Sequence, residues 1–372
     1  MSTSRCPLAR RLTAGVALLA LPMGAAGCSS AADSRRDSVQ TALQNAAEHL
    51  QDSESLSVVL RFDDPAGTAK KAVTAGSRPM SPAQADLLLG GTVSITVDPA
   101  AGTKLRDLQT ASPGLPPGEQ LKLANVAMSV QADGGPVAQL RLVAGDLYVT
   151  VSLDKISDIA GKGGSTTDLD ARVDELAAQS PGELAPLLRD VKAGKWIKLP
   201  LAPYVDRLKG RQPPPSAPVD SRKLGMDLLA AVQPFVAVTD ATSSGSERVL
   251  DVKVQAKQAL RAALQTVKST GPALPGLDRL DTSGIDRLGN GTVDGQLTLD
   301  DDHLRKITLD LTSAVKLAPP GATPAPDLTG STVTVDVDDA AEEVTVPEQV
   351  SSVDVNALVQ QLIGSLGGTR RS

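Results

Sequence analysis

Short runs of alternating aliphatic and polar residues, roughly ten of them, constrain this chain more than any other feature. Leu56, Val58, Leu60 and Phe62 recur at every second position, as do Val93, Ile95 and Val97. The same period returns at Val126, Met128 and Val130, at Leu140 and Leu142, and at Leu147, Val149 and Val151. Further runs lie at 195–199, 235–238, 249–254, 292–299, 304–315, 333–337 and 344–346. A period of two places one apolar and one polar face on each strand, so one side of the resulting sheet is covered and the other wet. Asp133-Gly134-Gly135, Ala144-Gly145-Asp146 and Asp300-Asp301-Asp302-His303 read as tight turns between consecutive strands.

Helical spacing is confined to a few segments. Ser38 can cap a first helix whose Val39, Leu43, Ala46, Ala47 and Leu50 share a face. Ser81-Pro82 opens a short helix to Leu89, and 154–193 is helical in pieces around Gly161-Lys162-Gly163-Gly164-Ser165. Others are expected near 222–233, over 256–267, and at the end, where Leu358, Leu362, Ile363 and Leu366 recur. Strands and helices are segregated rather than alternating as βαβ units. The expected fold is α+β: a large curved antiparallel sheet, a half-barrel, with helices packed on its concave apolar face.

Composition narrows function. Aromatic residues make up 1% of the chain: Phe62, Tyr148, Trp196, Tyr204 and Phe235. Sugar rings and bases are held largely by aromatic stacking, so a carbohydrate- or nucleic-acid-binding groove is not expected. Any cavity must be walled by Leu, Val, Ile and Ala. The net charge of −6 also disfavours nucleic acid and anionic lipid as main partners.

The first thirty residues read as an export signal. Arg5, Arg10 and Arg11 precede an apolar run from Leu12 to Met23, too short for a spanning helix of about 20 residues. Ala25-Ala26-Gly27-Cys28 follows as a lipobox. Residues 1–27 are thus a signal peptide, and Cys28 becomes the lipid-bearing first residue of the mature chain. Cys6 is discarded with the signal, leaving no thiol for a disulfide, a metal or catalysis. Two acyl chains on Cys28 hold stably where one would not. Residues 28–38, small and polar, read as a lipidated tether. The expected location is the extracytoplasmic face of the cell membrane. Arg10-Arg11 fits twin-arginine export poorly, and the route stays open.

The order of motifs resembles the actinobacterial LppX/LprAFG lipoproteins, relatives in fold of the LolA and LolB carriers. The matching features are the lipobox, a first helix running into Ser55-Leu56-Ser57-Val58-Val59-Leu60, then Gly145-Asp146-Leu147-Tyr148-Val149 and Gly194-Lys195-Trp196-Ile197-Lys198-Leu199. The hairpin from Gly295 to Leu309 and the closing run into Val346-Pro347 complete the series. Residues 39–372 then form a single domain of that kind, with insertions near 66–90, 160–190 and 209–222. The resemblance implies an apolar cavity between sheet and helices, and a protein that binds or carries a lipid or other apolar molecule. Candidate cavity residues are Val58, Leu60, Phe62, Val93, Ile95, Val97, Val126, Met128, Leu147, Val149 and Trp196. Dense aliphatic packing could equally fill that space. The competing reading is an interaction or sensory lipoprotein of the cell envelope without a small ligand, meeting partners through its acidic loops.

No motif points to catalysis, a metal or a cofactor. His49 and His303 are the only histidines, one on the first helix and one in a turn. There is no G-x-S-x-G elbow, and Gly161 to Thr166 lacks the spacing of a phosphate loop. Asp300-Asp301-Asp302, Asp338-Asp339 and Glu342-Glu343 lack the ligand spacing of a calcium loop. Trp196 poses its own question. Alternation places Ile197 and Leu199 on the covered side and Trp196 outside, whereas its size favours packing at the sheet rim near a cavity mouth. Cys28→Ser should leave an unlipidated precursor, because a hydroxyl does not accept the acyl donor. Detergent-phase partitioning with intact-mass measurement checks this: mature-length mutant in the detergent phase would exclude lipidation at Cys28.

Overall fold

The computed structural model describes residues 31–75, 79–100, 102–111, 115–132, 135–160, 166–180, 182, 184–202, 205, 227–228, 230–270, 283–286, 288–314, 317 and 327–354. The expected signal and lipobox, Gly161 to Ser165, the Pro-rich loop near 212–218 and the expected last helix lie outside them. The helix α1 spans Ala31–Asp52. It begins upstream of the cap expected at Ser38. The segment before Val39 holds no Gly or Pro to break a helix, and its Ala and Arg residues favour one.

Twelve strands form one open sheet. They are β1 (Leu56–Asp63), β2 (Thr92–Pro99), β3 (Ala124–Ala132), β4 (Gly135–Val143), β5 (Asp146–Val151) and β6 (Trp196–Pro200). The second half supplies β7 (Val236–Ser244), β8 (Glu247–Val254), β9 (Val293–Asp300), β10 (His303–Asp310), β11 (Thr332–Asp338) and β12 (Val350–Ser352). Their order is β12-β6-β5-β4-β3-β2-β1-β11-β10-β9-β8-β7. The sheet is therefore two sequential meanders, β1–β6 and β7–β11, joined where β1 pairs with β11. All neighbours are antiparallel except β12 and β6, which run parallel. That pair makes the otherwise antiparallel sheet mixed. It exists because 339–349 does not turn back as a hairpin. Ser55 Oγ donates to Ala341 O, Val344 N to Asp98 Oδ2, and Arg141 Nη1 to Thr345 O, leading the chain past β1, β2 and β4 to the far edge. The run expected at 344–346 is thus a strap rather than a strand. The run expected to Val315 also stops early, at Asp310, whose carboxylate accepts the amide of Thr312 and starts a helical turn.

The hairpin turn at Asp300–His303 lies where the sequence placed it. Asp301 and Asp302 both adopt positive φ, the geometry a two-residue turn needs, and aspartate tolerates it better than most residues.

Helices fill the connections of the first meander. Between β1 and β2 lie α2 (Thr68–Ala75) and α3 (Pro82–Gly90), the latter opened by Ser81 and Gln84 in a reciprocal capping box. Between β2 and β3 lie α4 (Leu105–Ala111) and the short α5 (Pro117–Gln120). Between β5 and β6 lie α6 (Leu153–Ala160), α7 (Thr166–Gln179) and α8 (Leu184–Lys192). The architecture is α+β, a large sheet with helices against its apolar face.

The main core lies under α1. Val39, Ala42, Leu43 and Ala46 form one stripe of the helix and pack on Leu250, Val252, Leu297, Leu299, Leu304, Ile307, Val335 and Val337. The two alanines let helix and sheet approach closely. Leu297→Ala should cost about 2–5 kcal/mol, whereas Met128→Ala on the same sheet face should cost less than about 1 kcal/mol, because Met128 is not enclosed. Urea unfolding of both variants checks the contrast; equal losses would exclude it.

Candidate functional site

Register partners define the apolar face across the sheet. One row runs Leu250, Leu297, Ile307, Val335, Leu60, Val93, Val130, Ala138 and Val151, through nine adjacent strands. Its first four members are buried under α1, and the rest are only partly covered. A second row runs Val337, Val58, Ile95, Met128, Leu140, Val149 and Ile197. Val337 is 4% exposed, Met128 39%, and Ile197 7%. The row is closed at both ends and open in the middle.

The two closures have different helices. On the β11 side, α1 covers the face. On the β6 side, α8 packs on the strand, and the Asp190 side chain hydrogen-bonds that of Ser351, the register partner of Ile197. At one end of β3 and β4, α3 and α6 meet the sheet, where Lys155 Nζ donates to Ala132 O at 3.0 Å. Leu88 on α3 and Ile156 on α6 are exposed, as Met128 is. Between α1, α8 and the contacting pair α3 and α6, the middle of the apolar face on β2–β5 is left only partly covered.

Ten of the eleven cavity candidates share this face: Val58, Leu60, Phe62, Val93, Ile95, Val97, Val126, Met128, Leu147 and Val149. None of the ten is fully buried. Trp196 lies on the opposite face, because its neighbours Ile197 and Leu199 pair with Val149 and Leu147. Its ring is half-covered, with the Arg141 guanidinium 5.1 Å from the ring centroid.

A second cluster was not legible from the sequence. His49 on α1 stacks on His303, ring centroids 4.1 Å apart. His303 Nδ1 contacts Asp339 Oδ2, Arg305 Nη1 lies 2.7 Å from Asp339 Oδ1, and Asn45 Nδ2 donates to Asp302 at 2.7 Å. Among the described residues no hydroxyl is hydrogen-bonded to either imidazole, and no group of side chains has metal-ligand clustering. The arrangement docks α1 onto the β9–β10 turn. Burial would raise the Asp339 carboxyl, but the His303 and Arg305 contacts outweigh it and hold it below the usual carboxylate value. A depressed folded value means stability present above the unfolded value, about 3.9, and lost as pH falls through the folded one. Asp339→Asn should therefore be less stable than the parent at neutral pH, with the difference closing below about pH 3.9. Thermal unfolding across pH checks this; a gap that stays constant into acid would exclude it.

No protein-family model and no curated protein matches the chain. Among solved structures, it is similar to LprF from Mycobacterium bovis, at 10% identity over 85% of this chain and 98% of that one, TM-score 0.31. It is also similar to the Mycobacterium tuberculosis lipoprotein LppX, at 9% identity over 84% and 99%, TM-score 0.30. Both neighbours are of the kind the sequence resembles. At TM-scores this low the likeness carries no argument about what the chain binds. Among the described residues, no helix is long and apolar enough to cross a membrane.

Proposed function

We propose that this chain is a cell-envelope lipoprotein, held at the extracytoplasmic face of the membrane by lipidated Cys28. There it binds or carries a lipid or other apolar molecule between the β2–β5 floor and the helices. The observation that supports the reading is the register row from Val337 to Ile197, covered at both ends and open at Met128. An aliphatic floor of this kind rewards acyl chains by removing apolar surface from water, about 0.8 kcal/mol for each methylene buried. It offers no directional polar contact, so selection among ligands rests on length and shape rather than on head group. The chemistry is non-covalent, and nothing in the reading requires a cofactor or metal.

Native mass spectrometry of protein purified without its anchor tests the proposal. Retained lipid, or uptake of cis-parinaric acid by protein stripped of it, is the expected result. Met128→Glu places a charge at the open centre of the floor and should weaken parinaric acid uptake at least tenfold, while leaving the α1 core intact. A clean apo mass together with no uptake of the probe would exclude a carrier.

A further inference from the structure

The face of the sheet opposite the apolar floor carries its own recess. It lies where the ends of β4 and β5 meet the start of β6 and helices α6–α8, with a volume of about 520 Å³. That falls within the range of small-molecule sites, roughly 300–1,000 Å³. Trp196, the only tryptophan of the chain, lines it together with Gln139, Thr150, Asp154, Asp170 and Lys192. In a protein with so few aromatic residues, that placement is informative.

Two carboxylates and two ammonium groups line the recess, Asp154 and Asp170 with Lys155 and Lys192. Both lysines are already engaged, Lys155 with the carbonyl of Ala132 at 3.0 Å and Lys192 with Asp174 at 2.6 Å. Thr150 donates to Gly194 O. Gln139 and Asp154 make no side-chain hydrogen bond to another described residue. Beside Gln139 across the β3–β4 ladder, the buried hydroxyl of Ser129 has no hydrogen-bond partner among the described residues. A phosphate or carboxylate would find its cations occupied, and a quaternary ammonium would compete for the indole with the Arg141 guanidinium, already 5.1 Å from the ring centroid. A purely apolar molecule would leave the polar rim without partners, at a cost for each buried group. What fits is a neutral ligand with one flat C–H face for the indole and hydroxyls around its edge.

We infer that this recess is a binding site for a neutral pyranose sugar, with Trp196 as its stacking platform and Gln139 and Asp154 as hydrogen-bonding partners for ring hydroxyls. The recess borders the floor at Ala138, Val151 and Lys155, but Gln139, Thr150 and Trp196 belong to the opposite face, so sugar binding can be tested apart from lipid binding. Sequence composition argued against a carbohydrate-binding groove, and this recess departs from that expectation as a single-ring site. It requires one aromatic residue, not a row of them.

The test uses the purified protein in a sugar-free zwitterionic detergent, because glucoside and maltoside detergents would occupy the site. Maltose, cellobiose, gentiobiose and chitobiose serve as probes, with choline and inorganic phosphate as charged comparators. At least one disaccharide should shift the Trp196 emission saturably and show saturation-transfer NMR signals on its ring C–H protons. Gln139→Ala should weaken that response about tenfold with an unchanged circular dichroism spectrum, and Trp196→Ala should abolish the saturation transfer. Saturable binding of choline or phosphate with none of a sugar would overturn the proposal. So would a sugar response that both variants leave intact. Should Trp196→Ala fail to fold, the Gln139→Ala comparison decides alone.

Discussion

A sheet of twelve strands with one aliphatic face must hide that face, and α1 is the element that makes this possible. Its stripe of Val39, Ala42, Leu43 and Ala46 touches residues contributed by the second meander, β11 included, and partly covers β1 as well. It therefore sits over the junction of the two meanders as well as over the core. The polar contacts at its C-terminal part, Asn45 to Asp302 and His49 on His303, set how far it slides along the sheet. Because α1 occupies that half, the remaining apolar face is left to helices arriving from the connections. Those land at its edges and one end.

Much of the fold was legible because alternation is a local signal. Most of the strands, the Asp300–His303 turn and the shared face of ten floor residues follow from a period of two. Trp196 shows the strength of that signal. Its size argued for the covered side, yet the register puts it opposite Ile197, and Arg141 supplies the shelter that its bulk requires. What could not be read depends on distance along the chain. The parallel pairing of β12 with β6 arises from hydrogen bonds that guide a strap with no periodicity of its own. The meeting of His49 with His303 and Asp339 joins residues from opposite ends of the sequence. The openness of the floor depends on where helices land, which the floor's own residues do not encode.

The two faces of the first meander divide the chemistry between them. The floor is aliphatic and holds no charge along its central row. The opposite face carries cross-strand pairs, Arg61 with Asp336 and Lys198 with Asp146, each at 2.6 Å. These pairs are partly exposed and add little to stability. On the same face, Trp196 lies beneath the Arg141 guanidinium and Tyr148 beneath the Lys198 ammonium. A sheet with unlike faces of this kind can present two different surfaces without a second domain.

The junction of the two meanders also governs the order in which the fold can be completed. β1 to β6 pair with neighbours in sequence and can assemble as soon as they are made, and so can β7 to β11. The outer edge of β1 cannot, because its partners run from Thr332 to Asp338. A chain that emerges N-terminus first therefore carries a raw strand edge through most of its synthesis. Such edges recruit other chains unless something discourages them. On β1, Arg61 and Asp63 provide that discouragement, and in the finished sheet Arg61 meets Asp336 on the very strand that closes the edge. The residue that guards the open edge against strangers is also one that receives the proper partner.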